Sequence, residues 1–417
     1  MIQRGLLSDH FDGVAVKRLS IVETTPTVSN QHEFNSSKAL RRLFGDDDRK
    51  GIPTRFIWLG EEQEGISVDS SVTWYDARRR HATRSEYRLY YPTNDVTRLM
   101  KAGDTFFLAL RSDGTAMVIV TPAESTVQNQ LLWLFGIDEQ PELDFAVREI
   151  SRDQDAELDF TVRYILDELG IELEEPETDE LDGLIERYGM KFPNTRDFSA
   201  LARQSLDEIS PHDNVDDVLM AWLEREELLF RRLERHIVAE RLRSGFMAEG
   251  DADVDGFLSF SLSVQNRRKS RAGQSLENHL EALFGARGIR YSRGAETENR
   301  HKPDFLFPGV AEYRDPVFPP ARLTMLASKS TLKDRWRQVL TEAARIPAKH
   351  LLTLEPAISE NQTDQMKAAQ LQLVLPARLH ETYRESQRPW LMSLGDFVQL
   401  VGARQEDGPR VRLLRGP

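Results

Sequence analysis

Apolar positions fall into three regimes along the chain. From residue 1 to about 136 they form short runs, several alternating with polar residues: Val14–Val16, Thr54–Leu59, Ser71–Tyr75, Tyr87–Tyr91, Thr105–Leu110 and Ala116–Val120. A period near two marks strands, and turn residues such as Ser112-Asp113-Gly114 separate the runs. Many short strands in one small domain predict a barrel or a sandwich.

From about 137 to 256 the spacing turns helical. Glu142–Arg148 and Glu157–Arg163 are near copies offset by 15 residues, close to four helical turns. Two copies are too few for a solenoid, so the spacing predicts two amphipathic helical turns. Trp222–Leu242 carries Trp222, Leu223, Leu228, Leu229, Leu233 and Ile237 at helical spacing. Glu249–Gly256, rich in acids, reads as a flexible joint.

From 257 to 417 the two periods alternate. Helices fit Ser275–Phe284 (with Leu276, Leu280, Leu283 and Phe284 on one face), Asp334–Arg345, Glu360–Ala369 and Ser393–Val401. Strands fit Asp304–Phe307, Leu323–Lys329, Leu351–Leu354 and Leu371–Leu375. Such alternation predicts an α/β domain with a central sheet flanked by helices. The expected organisation is multidomain: a β domain at 1–136, an acidic helical segment at 137–256, and an α/β domain at 257–417.

Composition narrows the chemistry. The 417 residues suit two or three domains, and the absence of cysteine excludes disulfides, thiolate catalysis and Cys-ligated zinc. No signal-peptide-like stretch and no membrane-length apolar run is present, so a soluble cytoplasmic protein is expected. The net charge of −13 is local: Asp138–Glu186 holds 19 acids and 3 arginines, a net of −16, leaving +3 elsewhere. The flanking regions are therefore compatible with a nucleic-acid partner. The acidic stretch reads either as a solvated linker or as a competitor with DNA for a basic cleft.

The segment from His301 to Thr353 carries the candidate chemistry. Pro303-Asp304 opens one predicted strand, Lys329 closes the next, and Glu342 follows on the predicted helix at the edge of a Trp336, Leu340 and Ala343 face. Adjacent strands can bring Asp304 and Lys329 together. Two acids to hold Mg²⁺ and a lysine to orient water beside a phosphodiester are what a metal-dependent nuclease needs. Lys333 places a second cation near a helix start, where cations are disfavoured unless an anion compensates. Glu277 flanks the apolar stripe of the Ser275 helix as a further acid. It reads equally as an ordinary exposed residue.

Two basic clusters are candidate DNA contacts. Arg267, Arg268, Lys269 and Arg271 follow Gln265 and Asn266 in a predicted loop before the Ser275 helix. Arginine reads guanine edges, and Asn or Gln reads adenine. Arg78, Arg79, Arg80 and His81, then Arg84 and Arg88, lie beside Trp74, Tyr75 and Tyr87. Both clusters could also touch phosphate alone.

Lys302–Pro308, Asp315–Phe318, Lys333–Leu340, Glu342-Ala343, Arg345-Ile346 and Lys349–Leu354 together resemble the catalytic domain of EcoRII-type type II restriction endonucleases. The resemblance spans roughly Gln265 to Phe397. It implies a PD-(D/E)xK-like site of Asp304, Lys329 and Glu342, with Tyr313 and Lys333 nearby. Val16–Ser20 and Thr83–Arg88 resemble the family's effector domain more weakly. That resemblance implies a DNA-binding pseudobarrel that binds a second site and relieves autoinhibition, with Arg84, Glu86 and Arg88 as contacts. Two features depart from the family's pattern. Ser328 stands where relatives carry an apolar residue, and the effector region matches poorly outside its two patches, so the family's CCWGG site is not carried over.

The resulting expectation is a homodimeric, Mg²⁺-dependent endonuclease acting on double-stranded DNA, with one or two sites engaged. Asp304 and Glu342 would bind Mg²⁺, Lys329 would act on water and phosphate, and Lys333 would neutralise phosphate charge. The alternatives are a modification-dependent nuclease and a non-catalytic DNA-binding regulator.

Overall fold

A computed structural model describes residues 6–24, 32–35, 38–60, 65–81, 83–150, 159–168, 170–171, 180–248, 251–332 and 335–406. The chain divides into two compact units. One is Met1–Leu173 with Pro356–Gln362 and Thr382–Arg384; the other is Glu174–Glu355 with Thr363–Glu381 and Glu385–Pro417.

The first unit is built on strands β1 (Phe11–Arg18), β2 (Glu33–Asn35), β3 (Arg49–Trp58), β4 (Ile66–Asp76), β5 (Tyr87–Tyr90), β6 (Thr105–Arg111), β7 (Ala116–Thr121) and β8 (Ala146–Glu149). They form one sheet in the order β2-β5-β4-β3-β7-β6-β1-β8, with β3 and β7 parallel and the other neighbours antiparallel. Helices α1 (Ile21–Thr24), α2 (Lys38–Phe44), α3 (Thr126–Leu134) and α4 (Phe160–Glu168) complete the unit. The unbroken apolar runs of β6 and β7 have a direct cause. Phe106, Leu108, Leu110, Val118 and Val120 pack in one core with Leu40 and Phe44 of α2. Phe107, Ala109, Met117 and Ile119 pack in another with Leu131 of α3 and Val162, Ile165 and Leu166 of α4. Both faces of the central strands are covered, so alternation disappears there.

The near-repeat divides. The end of its first copy enters β8, which pairs with β1 as Gly13↔Glu149 and Val16↔Ala146. The described part of the second copy enters α4. The expectation of two helical turns is corrected by tertiary context: a free edge of β1 recruits one copy, and an apolar face recruits the other. Described parts of the acidic stretch are built into the core, with Phe145, Val162, Ile165 and Leu166 buried. Two later segments also belong to this unit, with Gln130 Nε2 donating to Pro356 O (3.1 Å) and Ser359 N donating to Thr126 Oγ1 (3.1 Å).

The second unit begins with α5 (Glu180–Tyr188), α6 (Thr195–Gln204) and α7 (Val215–Ser244). A short hairpin, β9 (Met247–Ala248) with β10 (Asp251–Ala252), leads into α8 (Val254–Ala286). Asn214 caps α7 by accepting from Asp216 N and Asp217 N. Asp253 caps α8 by accepting from Gly256 N. α8 runs 33 residues without a break. The basic segment expected as a loop is therefore helical, because no proline interrupts it and the nearby Gly273 costs a helix only about 1 kcal/mol.

A six-stranded mixed sheet follows: β11 (Ser292–Arg293), β12 (Phe305–Phe307), β13 (Thr324–Lys329), β14 (Lys349–Thr353), β15 (Leu371–Leu375) and β16 (Met392–Ser393), in that order. β11, β12 and β13 are antiparallel neighbours, and β13 through β16 are parallel. Helices α9 (Val310–Arg314), α10 (Trp336–Val339), α11 (Glu360–Ala368) and α12 (Leu394–Glu406) connect or follow the strands. The helix expected over Asp334–Arg345 shrinks to α10. Ala343, at φ 46°, turns the chain toward β14, so Glu342 stands on a turn rather than on a helix.

Candidate active site

The site starts from strand register. β12 pairs with β13 as Phe305↔Leu326 and Leu306↔Met325. Continuing that register sets Asp304 opposite Ala327, on the same sheet face as Lys329 two residues on. Lys329 Nζ lies 3.0 Å from Asp304 Oδ2. The same oxygen accepts from Ser328 N at 2.7 Å and lies 3.4 Å from Ser328 Oγ. Ser328 thus sits against the carboxylate that Lys329 pairs with.

Glu342 faces this pair from the turn after α10. Burial, then the charge of Asp304, pushes its carboxyl up to about 7, while Lys329 and Lys349 pull the other way. Glu342 Oε2 is buried with no hydrogen-bond partner among the described residues. Lys349 opens β14 and donates to Ile346 O at 2.7 Å, and burial lowers its ammonium. Its contribution to the site was hidden in an apolar strand.

Tyr313 on α9 does not join the Asp304–Lys329 pair. Its hydroxyl donates to Glu298 Oε2 (2.6 Å) and accepts from Arg345 N (3.3 Å). Glu298 also accepts from Ala344 N at 3.3 Å. Arg345 donates to the carbonyls of Tyr313, Asp315 and Phe318. Burial and then Glu298 push the Tyr313 hydroxyl up to about 12, so it stays protonated as a donor. These bonds clamp the turn that carries Glu342. The helical acid Glu277 reaches the same region from α8. Its carboxyl is raised by burial and then by Asp304, and lowered by Arg293 and Lys329. Lys333 lies outside the described residues.

The two basic clusters separate. Arg271 is buried, paired with Glu226 and Glu227 of α7 and stacked on Phe230. Arg268 Nε pairs with Glu234 at 2.6 Å, and Arg267 lies 4.2 Å from the Phe192 ring centroid. Lys269 belongs to α8, and its side chain lies outside the described residues. The assignment of Arg271 as a DNA contact is corrected: its guanidinium is committed to packing α8 on α7, and exposing it would strand two carboxylates. In the first unit, Arg78, Arg79, Arg80 and Arg84 are exposed. Arg88 bridges Glu33 (2.9 Å) and Glu86 (2.7 Å), while Arg78 pairs with Glu86 and Arg79 with Asp48.

Among the described residues, no three acidic or histidine side chains form a ready-made metal cage. Two of the site's features nevertheless fit a cation. Glu342 has an orphaned buried oxygen, and the Asp304 charge opposes ionisation of Glu342 and of Glu277. A cation between these acids would answer both.

The family model described as EcoRII C terminal matches residues 230–398. The type II restriction enzyme EcoRII of Escherichia coli is 31% identical over 402 residues, covering 93% of this chain and 94% of the relative. The chain belongs to the EcoRII-type family of type II restriction endonucleases. It is a site-specific DNA endonuclease, a hydrolase. The type II restriction enzyme SsoII of Shigella sonnei is 32% identical over 161 residues, covering 33% of this chain and 51% of that protein. Among solved structures, metal-depleted Ecl18kI in complex with uncleaved DNA aligns with TM-score 0.44 and 21% identity over 56% of this chain and 86% of that one. The restriction endonuclease PspGI in its substrate DNA complex aligns with TM-score 0.42 and 15% identity over 52% and 95%. The six-stranded mixed sheet of the second unit lies within the residues that the family model matches. No helix among the described residues is long and apolar enough to cross a membrane.

Proposed function

We propose that this endonuclease hydrolyses double-stranded DNA as a homodimer with Mg²⁺, using Asp304, Glu342 and Lys329. The observation that carries the proposal is the Asp304–Lys329 contact on neighbouring strands, with a buried Glu342 oxygen that has no hydrogen-bond partner among the described residues and a carboxyl that feels the Asp304 charge. Asp304 and Glu342 would hold the cation, and Glu277 would serve as a third acid. Mg²⁺ bound there supplies charge neutralisation at the phosphate and a more acidic water. Lys329 orients the attacking water and offsets negative charge that develops on the phosphoryl oxygens. Water oxygen attacks phosphorus, the bond to the 3′ oxygen breaks, and the products carry a 5′-phosphate and a 3′-hydroxyl. Asp304, held by Ser328 N, keeps Lys329 in place. Lys333 would neutralise phosphate charge, and Tyr313 would act indirectly by fixing the Glu342 turn.

The first unit is proposed as the effector domain, a pseudobarrel that binds a second DNA site and controls cleavage. Exposed Arg80 and Arg84 would touch phosphate, with Arg78, Arg79, Glu86 and Arg88 forming the surface beside them.

Asp304→Asn and Lys329→Ala should abolish Mg²⁺-dependent plasmid cleavage while DNA affinity without metal stays within about threefold. Substantial cleavage by either variant would sink the assignment. Sequencing the ends from methylated and unmethylated plasmids reads the site and any modification rule in the same experiment.

A further inference from the structure

One strand over from Asp304 stands a cation outside the proposed catalytic set. Arg293 is on β11 opposite Phe305, and Gly294 N donates to Asp304 O at 3.0 Å, so its backbone is locked to the catalytic strand. Its side chain is about four-fifths buried and reaches α8. Nε and Nη2 both donate to Glu277 Oε2, at 3.1 and 2.9 Å. Nη1 donates to Asn278 Oδ1 (2.9 Å) and Glu281 Oε2 (2.8 Å). Glu281 Oε2 is held in turn by Arg196 of α6 at 2.7 Å.

This is a fork used to fix one acid. A guanidinium presents rigid, planar donors, so two bonds to one carboxylate oxygen set the direction of the other. Among the described residues, the remaining Glu277 oxygen accepts no hydrogen bond. Glu281 and Asn278, one turn and one residue along α8, anchor the far side of the fork. They are spaced so that α8 itself holds Arg293 from two sides.

We propose that Arg293 is a positioning residue for cleavage, holding Glu277 beside Asp304 and acting on the reaction through Glu277. The inference rests on the reading of Asp304, Lys329 and Glu342 as the catalytic centre. Outer partners that orient acids of a metal site typically matter by about 10–100-fold in metal affinity or activity.

The test is a double-mutant cycle on the full chain, read by single-turnover cleavage over a range of Mg²⁺ concentrations. Arg293→Met should lower the rate about 10–100-fold or raise the Mg²⁺ needed for half-maximal rate by a similar factor. DNA affinity without metal should be unchanged. In a Glu277→Gln background the same substitution should cost less than about threefold more, because coupled residues fail to add. Arg293→Lys keeps the charge without the fork and should fall between; it carries the cycle if the methionine variant does not fold. Equal losses in both backgrounds, an Arg293→Met enzyme of normal rate, or a Glu277→Gln enzyme of normal rate would each overturn the proposal. Asp304→Asn separates the two readings. If that variant still cleaves, the catalytic centre itself is misplaced; if it is dead while the cycle is additive, only the role of Arg293 fails.

Discussion

At the scale of single residues, burial sets what each ionisable group can do. His350 on β14 is the sharpest case outside the site. Its ring packs edge-on to Phe397, with centroids 5.1 Å apart. Burial, and then the nearby Arg404 charge, pushes it from 6.5 down to about 4, with Met325 O opposing. The folded protein therefore binds this proton more weakly than the unfolded chain. Its stability is whole above pH about 6.5 and is lost as pH falls toward 4. At about 1.4 kcal/mol per unit, the loss is on the order of 3 kcal/mol by pH 4. Urea midpoints of the wild type should drop over that window more steeply than those of His350→Gln, and parallel curves would refute the assignment. Ser328 makes the opposite point. Its backbone N–H, at 2.7 Å, serves Asp304 whatever the side chain, so exchanging the serine side chain leaves the carboxylate held.

At the scale of elements, α8 joins stability to chemistry. Its middle turns bury Arg271 against Glu226 and Glu227, and the following turns present Glu277 and Glu281 to Arg293. His279 Nε2 lies 2.9 Å from Glu226 in the same buried layer. Removing one partner of such a pair leaves an uncompensated charge and typically costs about 3–5 kcal/mol. Arg271→Met should therefore lower unfolding stability by about that amount. Once corrected for the folded fraction, its DNA affinity should match the wild type, as measured by denaturant unfolding alongside binding. A selective loss of binding with stability intact would return Arg271 to the DNA surface. The turn after α10 belongs to this scale as well. Tyr313, Glu298 and Arg345 fix a stretch whose sequence reads as helix.

At the scale of the whole molecule, charge is partitioned. Acids crowd one stretch, part of which is built into the core of the first unit, while exposed arginines gather around Arg78–Arg84. If Arg80 and Arg84 each neutralise a phosphate, the Arg80→Ala/Arg84→Ala pair should flatten the salt dependence of DNA binding. The slope of log affinity against log salt should fall by roughly 2. An unchanged slope would remove both from the interface. By itself the sequence determined the elements whose cause is local: the β-rich first region, the Trp222–Leu242 part of α7, and strands β12 to β15 with their apolar runs. It also determined that Asp304 and Lys329 could meet, because that pairing needs only two adjacent strands and the period of two. What only the tertiary structure decided is whatever depends on a partner distant in the chain. Near-identical stretches became β8 and a turn of α4 because different surfaces awaited them. Arg271 of the basic run became buried on α8 because α7 offers carboxylates. Glu342 left its helix because β14 must start at Lys349, and Arg293 gained a role because β11 lies against α8. In each case local propensity differs by about 1 kcal/mol or less, and burial or charge pairing outweighs it.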